Sequence, residues 1–385
     1  MFVGFLTSEL FERTKVPDSI ILILIGLLLR NRGFVDASML EPLTTLVASI
    51  AISLILFESG MRINLGELAS SLSGAFNLAN LSFILSSLAI GGLTFLFTGW
   101  DPLTSIMVGF TLGGTSAAVV IPIARKLLPM DSAPVVELES TMTNVYNFVF
   151  AMSVASIIES AQVGPTFALN SLLSYFSIGV LLGIVVGFVW INFAKKLWGK
   201  SFSYMMTLSA LFILYGFTEY AGGSGAVAGL VFGLILGNNK EIAEVIKTPA
   251  IGTRTFLKFS QEMSFLIRTY FFLFMGIVLK VPYDMLMWSL AVSIAVAAFL
   301  MRVVSAKLLK MPNEIAILIP RGLSEIVIAS IIMSKGLPHS EEILTIVGMV
   351  IIVTNLLPSI IMNWRKGRAG NNHNKGQTFK KSTTN

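Results

Sequence analysis

The chain has 385 residues, 55% of them hydrophobic and 12% charged, with a net charge of +6 and no cysteine. Soluble domains carry roughly 25% charged residues, so an ordinary soluble domain is excluded. The missing thiols exclude disulfides, thiolate catalysis and cysteine-based metal sites. The surplus of Lys and Arg follows a membrane placement and is no nucleic-acid signal.

Apolar runs predict helical spans at 18–30, 42–60, 70–97, 102–124, 134–159, 166–194, 203–218, 222–238, 257–279, 284–306, 314–335 and 341–363. Several reach the ~20 residues a helix needs to cross a bilayer. They are continuous rather than alternating, which excludes an outer-membrane barrel. Residues 1–363 therefore read as one all-α polytopic membrane domain in contact with lipid, and 364–385 as a basic, disordered cytoplasmic tail. The opening MFVGFLTSEL is too short to span and lacks the basic start of a signal peptide. It reads as the last half of a helix whose first half is absent.

Alternate connections differ in charge. Arg62, Arg125, Lys126, Lys195, Lys196, Arg302, Lys307, Lys310 and the tail lie on one side, and Arg30, Arg32, Lys280 and Lys335 on the other. Basic residues mark the cytoplasmic face, so a multi-pass protein of the cytoplasmic membrane with its C-terminus inside is expected. Arg268 and Arg321 are left within spans.

Two spans are interrupted. GGTSAAVVIP (113–122) places glycines, Thr115, Ser116 and a proline inside one, and ILIPRGLSE (317–325) places Pro320, Arg321 and Gly322 inside another. Broken backbone in a membrane needs partners or water, and transporters use such breaks to hold ions. The breaks also belong to a weak internal repeat: IGLLLRN (25–31) matches FGLILGN (232–238), LFESG (56–60) matches FLFMG (272–276), and VVIP (119–122) matches ILIP (317–320).

Between them lies VELESTMTNVYN. On a helical projection Glu137, Glu139, Ser140, Thr141, Thr143, Asn144 and Asn147 share one sector of about 200°. One or two such residues would read as interhelical hydrogen bonding. Seven read as a hydrated or ion-contacting face. Buried ionisable groups are costly and functional by default. Glu58, Glu137 and Glu325 are thus candidate proton carriers, and for each a structural partnership with Arg268 or Arg321 is the blander reading, for Glu325 the favoured one.

Together FERTKVPDSIILILIGLLL, LILFESGM, GGTSAAVVIP, LESTMTN, EYAGGSGAVAGLVFGLILGN, SFLIRTYFFLFMGIVL and PRGLSE resemble the cation/proton antiporter superfamily, in its sodium/proton exchanger (NhaP/NHE-like) branch. The resemblance implies two inverted repeats, a broken-helix core domain, a scaffold and dimer domain, and a homodimer working as an elevator. It implies 13 helices, hence 12 full spans plus a truncated first helix. It implies no cofactor; the partners are a monovalent cation, with Na⁺ first, and a proton. It also implies a buried ion pair between Glu139 and Arg321, and a site at Thr115, Ser116, Ser140, Thr143, Asn144 and Glu137, with Na⁺ at Thr115, Thr143 and Asn144. The chain departs from the family at two aspartates. Ala117 stands at the first break, where the Thr-Ser pair resembles an archaeal variant, and Asn144 stands where the carboxylate exchanging proton for cation should be. Asparagine offers an oxygen but takes up no proton. Either another carboxylate titrates, or the chain moves a cation or other solute without proton coupling. An intramembrane hydrolase is excluded, since neither His339 nor His373 falls in a span and no pair of span aspartates exists.

Overall fold

The computed structural model describes residues 18–35, 40, 43–63, 65–160, 165–197, 203–240, 242, 253–279 and 284–356. The readings made on the amino-terminal stretch and on the tail 364–385 lie outside the described residues. The helices are α1 (Asp18–Asn31), α2 (Thr44–Arg62), α3 (Leu65–Thr98), α4 (Pro102–Leu112), α5 (Ala117–Leu127), α6 (Ala133–Ser160), α7 (Pro165–Leu197), α8 (Ser203–Tyr220), α9 (Gly225–Gly237), α10 (Thr253–Val278), α11 (Met285–Leu308), α12 (Leu323–Ser334) and α13 (340–356). A short 3₁₀ turn, Asn313–Ile317, precedes α12.

Two of the expected spans are each split. The run 102–124 becomes α4 and α5 around residues 113–116, and 314–335 becomes the 3₁₀ turn and α12 around 318–322. Pro122, expected inside the first break, lies within α5. The breaks themselves begin 205 positions apart, at Gly113 and Leu318, close to the spacing of IGLLLRN and FGLILGN. The match of VVIP to ILIP is therefore out of register: VVIP follows its break, and ILIP runs into its own.

Among the described residues, α2, α6, α11 and the apolar stretches Ser73–Thr98 of α3 and Leu173–Phe193 of α7 are long and apolar enough to cross a bilayer. They differ in what they face. The most apolar window of α6 is 72% buried, that of α7 only 22%. Leu181, Val185 and Val189 of α7 stand at 50% exposure or more, an apolar surface suited to lipid and not to water.

The two halves of the chain lend each other helices. α1 packs on α10, and α2 on α9. Both pairs are closed by glycine. A Cβ at Gly233 would collide with the Phe57 carbonyl, and one at Gly276 with the Ile23 carbonyl. Small residues let membrane helices approach to backbone contact. Arg30 caps the far end of the first pair, donating to the carbonyls of Val278 and Leu279 at 3.0 Å each, where a cation also meets the negative end of the α10 dipole. In the loop before α4, the Asp101 carboxylate accepts from Thr104 N at 3.0 Å. Its partial burial acts upward, but the hydrogen bonds from Thr104 and Leu103 outweigh it and hold the carboxyl below its usual value.

Candidate functional site

The two breaks cross. Ser116 N donates to Pro320 O at 2.9 Å, and Gly322 lies so close to Ser116 that a Cβ there would sit 2.5 Å from its hydroxyl. α6 passes behind the first break. Gly114 N donates to Asn147 Oδ1 at 2.8 Å and Thr115 N to Thr143 Oγ1 at 3.3 Å. Gly114 is required for this approach, because a Cβ would lie 2.7 Å from both Thr143 Cβ and Asn147 Oδ1. The glycines read as helix breakers thus also let the broken strand of chain lie against the polar face of α6.

The exposed ends of the interrupted helices are satisfied by charge. Arg321 turns back to the C-terminus of α4, donating from Nε to Leu112 O at 2.9 Å and from Nη2 to Gly113 O at 3.5 Å, with Nη1 on Ile319 O. Its own backbone is held by Thr354 and Asn355 of α13. Glu325 occupies the first turn of α12, accepting from Gly322 N at 2.8 Å. A cation at a helix C-terminus and an anion at an N-terminus both oppose the helix dipole.

These bonds correct the expected ion pair. Glu139 is fully buried, but its partner is Arg302 of α11 rather than Arg321, in a bidentate contact at 2.7 and 2.8 Å. Arg302 is 2% exposed and also donates to Ser82 Oγ at 3.0 Å. Arg302, counted above with the basic residues of one face, is thus a buried ion-pair partner rather than a solvated flank. It lies close enough to the end of α11, beside Lys307 and Lys310, to look like a flank. The pair joins α3, α6 and α11 inside a shell that includes Leu78, Val120, Ala306, Ile315 and Leu318.

The other carboxylates separate sharply. Glu137 pairs with Arg125 at the end of α5, at 2.6 and 2.8 Å, and does not reach Asn144. Glu58 pairs with Arg62 on its own helix at 2.5 Å. Ser140 donates its hydroxyl to Glu137 O and is spent within α6. Glu325, 0% exposed, makes no ion pair among the described residues and is held by neutral donors: Asn147 Nδ2 at 3.2 Å on Oε1, and Gly322 N on Oε2.

What converges is a small set of oxygens. Asn144 Oδ1 lies 3.0 Å from Ser324 Oγ, and Ser324 Oγ lies 3.1 Å from Glu325 Oε2. Thr143 Oγ1 touches Thr115, whose own buried hydroxyl has no hydrogen-bond partner among the described residues. That hydroxyl keeps both its donor and its lone pairs free for a further contact. Sequence reasoning named Thr115, Thr143, Asn144 and Glu325, put Asn147 on the polar face without giving it a role, and missed Ser324. The Asn147 signal was present: it shares the polar sector of α6 with Asn144.

Residues 1–364 match the family described as sodium/hydrogen exchanger, transmembrane. The chain is 25% identical over 374 residues to the K(+)/H(+) antiporter NhaP2 of Shewanella oneidensis, covering 92% of this chain but 63% of that protein. It is 26% identical over 226 residues to the Na(+)/H(+) antiporter ApNhaP of Aphanothece halophytica, over 58% of this chain and 43% of that one. This chain thus spans less than two thirds of the length of these curated relatives. Its fold is similar to that of the sodium proton antiporter MjNhaP1 of Methanocaldococcus jannaschii at pH 8, with a TM-score of 0.79 at 17% identity over 93% of this chain and 94% of that one. The chain belongs to the sodium/hydrogen exchanger family of transmembrane cation/proton antiporters.

Proposed function

We propose that the chain exchanges a monovalent cation, Na⁺ or K⁺, for protons, and that Glu325 carries the proton in place of an aspartate at position 144. One observation carries this: the single hydroxyl of Ser324 sits between two acceptors, Asn144 Oδ1 and Glu325 Oε2. A hydroxyl donates one hydrogen. With Glu325 ionised and the Asn144 carboxamide oxygen turned toward Ser324, one of the two oxygens is left facing a lone pair. Two states repair this. A proton on Glu325 gives the relay Glu325 to Ser324 to Asn144, every hydrogen used. A cation among Asn144 Oδ1, Ser324 Oγ and the ionised carboxylate, with Thr115 and Thr143 supplying further oxygens, repairs it equally. The two states exclude each other, and that exclusion is the coupling. The uncoupled alternative rests on Asn144 alone, and loses its ground once a carboxylate lies one hydroxyl away.

The cavity between α2 and α10 on one side and α5, α6 and α12 on the other favours an elevator, with the crossed breaks as the moving core. Inverted repeats, the twelve-span count, a homodimer and a cytoplasmic C-terminus belong to the same reading. The test is a pH-dye assay in everted membrane vesicles from cells lacking other antiporters. Added Na⁺ or K⁺ should dissipate an imposed pH gradient. A response equal to empty-vector vesicles with both ions, from pH 6 to 9, overturns the proposal. Asn144→Asp would add a second titratable carboxyl beside Ser324. Exchange is expected to persist and to become sensitive to membrane potential, as read by abolishing the potential with valinomycin and K⁺. Unchanged potential dependence would mean that position 144 does not face the transported charge.

A further inference from the structure

A cavity of about 200 Å³ opens beside the crossed breaks, lined among others by Glu58, Arg62, Pro122, Thr141, Arg268 and Leu323. Two of its lining residues neighbour the site. Thr141 lies one helical turn from Asn144 on α6, and Leu323 adjoins Ser324. Its outer end carries Arg62, in the last turn of α2.

The charges in this vestibule are unexpected for a cation path. Two guanidiniums face one carboxylate. Glu58 accepts from both Nε and Nη2 of Arg62. Arg268 has no ion pair among the described residues, and its buried Nε has no hydrogen-bond partner there. An arginine inside an apolar helix that forms no ion pair is costly. Among the described residues no ion pair depends on it. Its field is what remains. Apolar walls focus that field along the cavity, and it opposes every cation that approaches Asn144.

We infer that Arg268 and Arg62 form an electrostatic brake on cation uptake from this end: Glu58 attracts the arriving ion, Arg62 competes for Glu58, and Arg268 sets the opposing potential. The brake rests on the exchange reading above but is separable from it. It governs how much cation is needed, not whether cation and proton exclude each other. With it, the exchanger stays idle until cation on this side is plentiful.

Apparent KM for Na⁺ and K⁺ is to be measured in everted vesicles at fixed ionic strength, the balance made up with choline. Arg268→Gln should lower apparent KM by about threefold or more without loss of maximal rate. Arg268→Lys, which keeps the charge, should leave it near the natural value. Glu58→Gln, which leaves both arginines uncompensated, should raise it. The Arg268→Gln effect should shrink as ionic strength rises. An unchanged KM in Arg268→Gln, or equal shifts in the Gln and Lys variants, overturns the brake. If Arg268→Gln fails to accumulate in the membrane, Glu58→Gln decides: a raised KM supports the inference and an unchanged KM overturns it. Absence of exchange in the natural protein would remove the exchange reading instead.

Discussion

Glu139→Gln should be among the most destabilising single changes in this chain. The pair it breaks is buried at both ends, with Arg302 at 2% exposure and Glu139 at 0%. Removing one partner of such a pair typically costs ~3–5 kcal/mol, because the other charge stays buried and unpaired. Arg302→Met should cost a similar amount. The double variant should cost clearly less than the sum of the two, since it strands no charge. Thermal unfolding in detergent, followed by tryptophan fluorescence, reads all three. Combining Glu139→Gln with Arg321→Met should come nearer to additivity, because those side chains share no bond. Additive losses for Glu139 and Arg302 would sink the pairing drawn from the bidentate contact.

Glu325→Gln should reduce cation-driven proton movement to background. Glutamine preserves the size of the side chain and can still accept from Gly322 N, so the start of α12 survives. It cannot titrate. The relay through Ser324 is then fixed in one state, and no proton is exchanged for the arriving cation. Thermal stability should fall less than in Glu139→Gln, because no counter-charge is stranded in a direct ion pair. Vesicles carrying Glu325→Gln that respond to Na⁺ or K⁺ within twofold of the natural protein would exclude Glu325 as the carrier.

Much of this was legible in the chain. The polar face of α6 could be read from spacing alone, and Glu139, Thr143, Asn144 and Asn147 are all buried on it. The breaks could be read from Gly113, Gly114, Pro320 and Gly322, since glycine and proline weaken a helix wherever they fall. Pairing could not be read. Glu137 and Glu139 are two residues apart, so on a helix they point in different directions. One meets Arg125 near the outside, the other Arg302 in the core. Nothing local distinguishes Arg302 from Arg321 as the partner of Glu139, because that choice is made by how α11 crosses α6. The register of the repeat failed for a related reason. A tetrapeptide match compares side chains, while the repeat is a repeat of backbone interruptions.

Arg321 has a consequence for ion choice. A helix cut short inside a membrane ends in carbonyls that would suit a free cation. Here the chain supplies its own, tethered to the opposite break, and Leu112 O and Gly113 O are already taken. Under the proposed exchange, an arriving ion meets instead a hydroxyl, a carboxamide and a carboxylate, all carried on buried side chains rather than on the backbone. Selectivity among hard cations comes from cavity size, ligand number and rigidity. Under the exchange proposed above, side-chain ligands adapt to the radius of an ion more readily than fixed backbone carbonyls, so a chain that plugs its own carbonyl end is expected to discriminate only shallowly between sodium and potassium.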